Sequence, residues 1–130
     1  MTTSIRVRYA ETDQMSGVSN ERYLEYFEVG RAELIRSLGM SYRDFEAAGF
    51  HLPVTEAYLK YIRQVKYDDV IEVVAAVKEP PKARLRIDYE IFRGKEKMTE
   101  GYTVHSFIDA KTGRPVRAPQ MFLNLLDGKS

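Results

Sequence analysis

The chain has 130 residues, of which 44% are hydrophobic, so it holds enough apolar side chains for one compact domain with its own core. Twenty basic and nineteen acidic residues give a formal net charge of +1 without a long run of either sign, which argues against a dedicated nucleic-acid or anionic-membrane surface. The absence of cysteine excludes disulfides, thiolate nucleophiles and thiolate metal ligands.

The sequence pattern predicts neither a second unit nor a membrane anchor. There is no internal repeat, low-complexity segment or linker, and we therefore expect a single domain over residues 1–130. The stretch MTTSIRVRYAE lacks the apolar core of a signal peptide, and no apolar run approaches membrane-spanning length. A cytoplasmic protein without a membrane span is the expectation.

The first predicted elements are a short strand and a loop. Ile5, Val7 and Tyr9 alternate with polar residues, which predicts a strand with one apolar face. The loop that follows carries Glu11, which we expect to be an exposed residue, and Asp13. The loop leads directly into the main helix.

A long helix is predicted next. Ser19 or Asn20 is a suitable N-cap, and Gly39 ends the helix as glycine commonly does. Apolar residues recur at three- and four-residue spacing along one side: Tyr23, Leu24, Phe27, Leu34, Ile35 and Leu38. A mid-helix glycine costs roughly 1 kcal/mol relative to alanine. Gly30 therefore suggests that another part of the chain approaches the helix backbone closely.

A short helix and several strands follow. Ser41 and Asp44 form a capping-box pattern, and a strand with Pro53 near its start runs from His51 to about Ile62. Alternating strands are then predicted in VIEVVAAVK, in ARLRIDYEIF and, after a hairpin turn at 93–96, in a segment that ends near residue 108. The 109–113 loop and a proline at 115 are expected to end the sheet, and residues 121–126 to form a short amphipathic helix or a tucked tail. One helix and four or five antiparallel strands define an α+β architecture, a sheet wrapped around a helix.

The loop before the long helix is the best candidate for a functional site. The first N–H groups of a helix have no intrahelical partner and carry a partial positive charge, so they can stabilise a carbonyl oxygen that gains negative charge. Asp13 lies seven residues before Asn20, and Gly17 between them lets the chain turn back. A carboxylate and a row of N–H donors are thus expected to face one small volume. The spacing alone also fits a turn-capping role for Asp13.

Motifs spread along the chain resemble one known family. RVRYAETDQM, Asn20 with Tyr23, YFEVGRAELIR, KYDDVIEV, GYTVHSFID and TGRPVRAP follow each other in register over nearly the whole chain. They resemble the 4-hydroxybenzoyl-CoA thioesterase family of hotdog-fold acyl-CoA thioesterases, and within it the Tol-Pal-cluster-type subfamily. The resemblance implies a hotdog fold, an antiparallel five- to six-stranded sheet around one long central helix, and a homodimer or homotetramer.

The resemblance also implies an activity and the residues that carry it. Such enzymes hydrolyse an acyl-CoA to the free acid and CoA, with Asp13 as general base or nucleophile and the backbone N–H of Asn20 as oxyanion donor. No metal or cofactor is implied. Two residues near the start of the helix are expected to contact the substrate, Ser19 and Tyr23. Four basic residues are expected to meet the phosphate end of CoA: Lys60, Arg63, Lys66 and Arg117. Ordinary solvated surface charge would account for the basic residues equally well.

Two other functions stay open. After the aspartate the family motif reads M-G-V-V-Y/H-H-x-N-Y, whereas this chain has MSGVSNERY, with Ser19, Asn20 and Arg22 at the aromatic, histidine and asparagine positions. A hotdog domain that binds an acyl-CoA, an acyl-carrier ligand or a partner protein without hydrolysis is therefore the alternative. A hotdog dehydratase would need a histidine near the helix, and the segment from Glu21 to Leu38 has none.

Structural roles are predicted for the remaining polar residues. Glu28 and Arg31 have the spacing of a helical ion pair. His51 and His105 are the only histidines, and without a carboxylate at suitable spacing they predict no metal site. For His105 we expect a structural hydrogen bond.

Overall fold

The computed structural model describes residues 1–13 and 17–127. In chain order the elements are β1 (Thr2–Arg6), a 3-10 turn (Tyr9–Glu11), α1 (Asn20–Ser37), α2 (Tyr42–Ala47), β2 (Phe50–His51), β3 (Val54–Tyr61), β4 (Val70–Ala76), β5 (Arg84–Arg93), β6 (Glu96–Asp109), β7 (Pro115–Val116) and α3 (Gln120–Leu126). Gln14, Met15 and Ser16 of the motif named above lie outside the described residues.

The strands form one antiparallel sheet. β1, β4, β5 and β6 lie side by side in that order, and β2, β3 and β7 all pair with β6. The α+β hotdog architecture is confirmed, and residues 1–13 and 17–127 form seven strands instead of the expected five to six. The single strand predicted from His51 to about Ile62 is divided into β2 and β3, and β7 is the other additional strand. β2 and β7 have two residues each and are too short for periodicity to reveal. The prediction that Pro115 ends the sheet was wrong, because Pro115 pairs with Ile108.

The long helix α1 packs against the inner face of this sheet. The buried side chains of β4 and β5 are the alternate residues of the predicted pattern: Ile71, Val73, Ala75, Leu85, Ile87, Tyr89 and Ile91. Phe27 of α1 stacks on Tyr89 with ring centroids 4.2 Å apart. A Cβ atom on Gly30 would lie 2.7 Å from Cγ1 of Val73, which confirms the close approach predicted at this glycine.

The burial of one position in α1 and the role of Tyr9 differ from the prediction. Leu24 is 43% exposed and Tyr26 is buried instead, because Tyr26 contacts the loop after β1 as well as the core. β1 ends at Arg6, so Tyr9 does not extend the strand. Tyr9 begins the 3-10 turn and is 75% exposed.

β3 is an edge strand with little cover. Among the described residues it pairs with β6 alone, and all of its residues except the half-buried Leu59 are exposed. The exposed apolar side chains on and just after it are Val54, Tyr58, Tyr61 and Ile62. Such an edge is a template for pairing with another chain.

His105 makes the structural hydrogen bonds expected of it. Its Nδ1 lies 3.1 Å from the carbonyl of Leu52, so Nδ1 is the donor, and Nε2 accepts from the hydroxyl of Thr103 at 2.8 Å. Thr103 in turn lies 2.8 Å from the hydroxyl of Tyr89. Burial lowers the pKa of His105 to about 4, against the opposing effect of the hydrogen bond to Leu52.

The free energy of unfolding should therefore depend on the protonation of His105. Between pH 6.5 and about 4 the unfolded chain takes up a proton that the folded chain refuses, so stability is complete above pH 6.5 and falls as the pH drops through this window. The loss should reach at most about 3 kcal/mol. Urea titrations of the wild type and His105→Gln at pH 4 to 7 test this, since the variant should show a flatter pH dependence. Equal slopes for the two proteins would contradict the assignment.

Candidate functional site

The loop between β1 and α1 folds back on itself. Thr12 and Val18 form an antiparallel bridge, and the N–H of Asp13 donates to the carbonyl of Gly17 at 2.8 Å. The backbone of Asp13 therefore lies beside the start of α1, which begins at Asn20. Asp13 itself is exposed.

The chain that leaves β3 forms a second wall beside this loop. Gly17 pairs with Lys66 in an isolated bridge, and the N–H of Val18 donates to the carbonyl of Val65 at 2.8 Å. A Cβ atom on Gly17 would overlap the amide end of the Gln64 side chain, so a larger residue at this position would require that side chain to move. The sequence indicated only that a turn was needed here.

Glu11 is buried, which contradicts the expectation of an exposed loop residue. It is only 7% exposed, and its Oε1 accepts from the N–H of Arg8 at 2.8 Å and from the hydroxyl of Tyr26 at 3.2 Å. The backbone carbonyl of Glu11 also accepts from the N–H of Ser19 at 3.1 Å. Burial and the neighbouring Glu11 carboxylate raise the pKa of Tyr26, which keeps this hydroxyl a neutral donor. Glu11 thus ties the Asp13 loop to α1 at two points.

The start of α1 leaves backbone donors available. Ser19 is the N-cap residue, with an extended backbone and no hydrogen bond from a backbone N–H to its side chain. The N–H of Arg22 donates to the carbonyl of Ser19 at 2.9 Å and closes the first turn. The N–H groups of Asn20 and Glu21 precede that bond and, as in any α-helix, have no acceptor within the helix.

A cavity of about 200 Å³ lies at this end of α1. Its walls come from the first turn of the helix and from the chain that ends β3: Asn20, Tyr23, Tyr61, Ile62, Arg63 and Gln64. The hydroxyl of the buried Tyr23 accepts from the N–H of Val65 at 3.2 Å, and its ring meets that of Tyr61 edge to face at 5.0 Å. The cavity therefore has a rigid aromatic wall.

The predicted substrate residues do not all lie here. Tyr23 and Arg63 line the cavity, and Ser19 adjoins Asn20. Arg63 also contacts Glu96, with 3.5 Å between Nε and Oε2. Successive side chains of a strand point to opposite faces of the sheet. Tyr61 faces the cavity, so the side chain of Lys60, its neighbour in β3, lies on the outer face. Within one protomer Lys60 is therefore outside this cavity.

Arg117 lies at the other end of the molecule. It follows β7, which pairs with Phe107 and Ile108, whereas Arg63 donates its backbone N–H to Met98 at the opposite end of β6. The nine residue steps from Met98 to Phe107 span about 30 Å of strand. The expectation that Arg117 flanks the same site is not met within one protomer.

The predicted ion pair of α1 is also absent. The Nε of Arg31 donates to the hydroxyl of Tyr42, and no carboxylate of residues 1–13 or 17–127 is in ion-pair contact with Arg31. The side chain points between α1 and α2 rather than along the helix surface. Helical spacing alone did not distinguish these two directions.

In the part of the chain that the structure describes, no three histidine, aspartate or glutamate residues are grouped to hold a metal ion. Over the same residues, no helix is long and apolar enough to cross a bilayer.

The chain is similar to proteins of known family over nearly its full length. It is 30% identical over 119 residues to a Bacillus subtilis protein provisionally named acyl-CoA thioesterase YneP, covering 91% of this chain and 86% of that one. The structure superposes on hypothetical protein TT1821 of Thermus thermophilus with a TM-score of 0.92 at 31% identity, covering 99% and 98% of the chains. It superposes on the DHNA-CoA thioesterase of Staphylococcus aureus with a TM-score of 0.88 at 34% identity, covering 97% and 85%. A family model described as the Thioesterase-like superfamily matches residues 7–126, and the chain therefore belongs to that superfamily.

Proposed function

We propose that this chain hydrolyses an acyl-CoA thioester to the free acid and CoA. The observation that carries the proposal is the loop of Asp13, which is bonded back onto the start of α1 beside the cavity that contains Asn20. Two similar proteins, from Bacillus subtilis and Staphylococcus aureus, are named as CoA thioesterases. This activity would place the protein in the cytoplasm.

The chemistry requires only a carboxylate and hydrogen-bond donors. Asp13 takes a proton from water, the resulting hydroxide adds to the thioester carbonyl, and the C–S bond then breaks to release the CoA thiolate, which is protonated. Alternatively, the Asp13 carboxylate attacks the carbonyl itself and forms a mixed anhydride that water hydrolyses. In both routes the N–H groups that open α1, that of Asn20 first, stabilise the oxyanion.

Asn20 acts through its backbone in this proposal, so its side chain should matter little. Asn20→Ala is expected to change kcat far less than the roughly 100- to 1000-fold loss that follows removal of one oxyanion donor. Steady-state kinetics of the variant test this. A loss of that full size, without loss of folding, would show that the amide side chain itself is the donor.

A dimer, or a dimer of dimers, is part of the proposal. The uncovered edge of β3 and its exposed apolar side chains favour pairing with a second copy of this chain. Tyr61 and Ile62 belong both to this surface and to the cavity, so a second copy would also close the cavity. Light scattering on the purified protein tests it, since a monomer at working concentration would contradict it.

The decisive experiment is thiol release from a panel of acyl-CoAs. The panel should contain aromatic members such as 4-hydroxybenzoyl-CoA and 1,4-dihydroxy-2-naphthoyl-CoA, together with short-chain and long-chain acyl-CoAs. Preference for 4-hydroxybenzoyl-CoA would support the 4-hydroxybenzoyl-CoA thioesterase family that the sequence motifs resemble. Binding of acyl-CoA without release of any thiol would instead support a binding domain, the alternative motivated by Ser19, Asn20 and Arg22.

A further inference from the structure

Two exposed tyrosines from different segments form one aromatic surface beside the candidate site. Tyr9 is 75% exposed and Tyr67 is 50% exposed, and their rings meet edge to face with centroids 5.7 Å apart. Their backbones are held together, since the N–H of Val7 donates to Asp69 at 2.9 Å and the N–H of Asp68 donates to Val7 at 3.0 Å. The two rings are thus a fixed platform that is open to solvent.

A short stretch of chain joins this platform to the cavity. Gln64 lines the cavity, and three residues further on, at most about 10 Å away along the chain, lies Tyr67. Lys66, between them, is bridged to Gly17 of the Asp13 loop. On the other side, Tyr9 opens the 3-10 turn that leads into the same loop.

The charges around the platform leave positive groups for an anion. The nearby carboxylates already have cationic partners, because Asp68 pairs with Arg6 and Asp69 pairs with Arg93, both at 3.1 Å. The ammonium of Lys66, in contrast, is exposed and forms no ion pair with any residue of 1–13 or 17–127. A stacking surface next to an uncompensated cation is the arrangement that a nucleotide requires.

We propose that the adenine ring of coenzyme A stacks on one ring of the Tyr9–Tyr67 pair and meets the edge of the other, while Lys66 contacts the phosphates. The inference rests on the proposed thioester hydrolysis and specifies the carrier. A thioester carried by CoA, which has the nucleotide, would be preferred over the same acyl group on pantetheine or on an acyl carrier protein. The exposed guanidinium of Arg8, 3.4 Å from Glu11, is a second cation within the same segment as Tyr9.

The test compares one acyl group on two carriers, CoA and pantetheine. Base stacking on an aromatic side chain contributes enough that Tyr9→Ala and Tyr67→Ala should each raise KM for acyl-CoA by about 5- to 100-fold. The value of kcat, and both constants for acyl-pantetheine, should not change. Tyr9→Phe and Tyr67→Phe keep the rings and are the matched controls, which should behave as the wild type. Lys66→Gln should raise KM for acyl-CoA alone, and less so at high salt.

Several results would overturn the inference. They are an unchanged KM for acyl-CoA in both alanine variants, equal changes for acyl-CoA and acyl-pantetheine, and a change of oligomeric state by light scattering in the alanine variants. Faster hydrolysis of acyl groups on acyl carrier protein than of the same acyl groups on CoA would also overturn it.

If the wild type hydrolyses no thioester, the proposed function fails, and calorimetry with CoA and pantetheine replaces kinetics. Weaker CoA binding in the alanine variants would then support the platform, and no binding of CoA to the wild type would overturn it.

Discussion

Asp13→Asn is expected to lower kcat for acyl-CoA hydrolysis by about 100- to 10,000-fold, the contribution typical of a positioned general base. The amide has nearly the same shape as the carboxylate, but it neither takes a proton from water near neutral pH nor attacks a carbonyl. KM should change much less than kcat, because the substrate still meets the same cavity and the same N–H groups. Thiol release over a range of acyl-CoA concentrations up to saturation measures both constants.

Asp127→Asn is the matched control. Asp127 is an exposed carboxylate at the end of α3, and the same change of charge there should leave kcat and KM at wild-type values. Thermal unfolding of both variants should follow the wild type, which separates loss of chemistry from loss of structure. Turnover by Asp13→Asn at the wild-type rate would remove the basis of the proposed function.

The two possible roles of Asp13 leave different isotopic traces. In a single turnover in ¹⁸O-labelled water, a general base delivers labelled oxygen from water to the released acid. A nucleophile that is regenerated by water attack at its own carboxyl carbon delivers one of its unlabelled oxygens instead. Mass spectrometry of the acid from one turnover, with enzyme in excess, therefore distinguishes the two mechanisms.

Glu11→Ala is expected to lower the free energy of unfolding by about 3 kcal/mol, since it removes a buried charged acceptor from two donors. The N–H of Arg8 and the hydroxyl of Tyr26 would both lose their partner, at 2.8 and 3.2 Å respectively. Urea denaturation of Glu11→Ala, Tyr26→Phe and the double variant isolates the contact between the two side chains. A coupling free energy of about 1 to 2 kcal/mol is expected.

The same substitution should also impair catalysis. The loop of Asp13 is fixed to α1 partly through Glu11, so a loosened loop would hold Asp13 at the wrong distance from the carbonyl. Tyr26→Phe leaves the bonds of Glu11 to Arg8 in place and should lower kcat less than Glu11→Ala does. Additive effects of Glu11→Ala and Tyr26→Phe on the free energy of unfolding would contradict the contact between the Glu11 and Tyr26 side chains.

Local patterns in the sequence were sufficient for the main elements. The apolar spacing and Gly39 predicted α1 closely, with a positive φ of 98° at this glycine. The capping box of α2 is formed as predicted, with the N–H of Asp44 donating to Ser41 at 3.2 Å. The strict alternation of β5 placed its buried residues on the correct face. These features depend on residues a few positions apart, whose geometry is set by helix and strand periods.

The composition of the site was decided by contacts between distant segments. Glu11 is an unremarkable loop residue in the sequence and becomes buried because Tyr26, fifteen positions later, donates to it. Lys60 and Arg63 are close in sequence, yet only Arg63 lines the cavity, because the segment that contains it lies against the first turn of α1, whereas Lys60 lies on the opposite face of β3.

The sequence by itself therefore determined the central helix, the alternation of the long strands and the motif that leads to the Thioesterase-like superfamily. Only the tertiary structure decided that residues 61–67, and not Arg117, stand beside the Asp13 loop. The physical reason is that periodicity specifies which face a residue takes within its own element. The pairing of elements, which brings β3 and its continuation next to α1, depends on packing across the whole sheet.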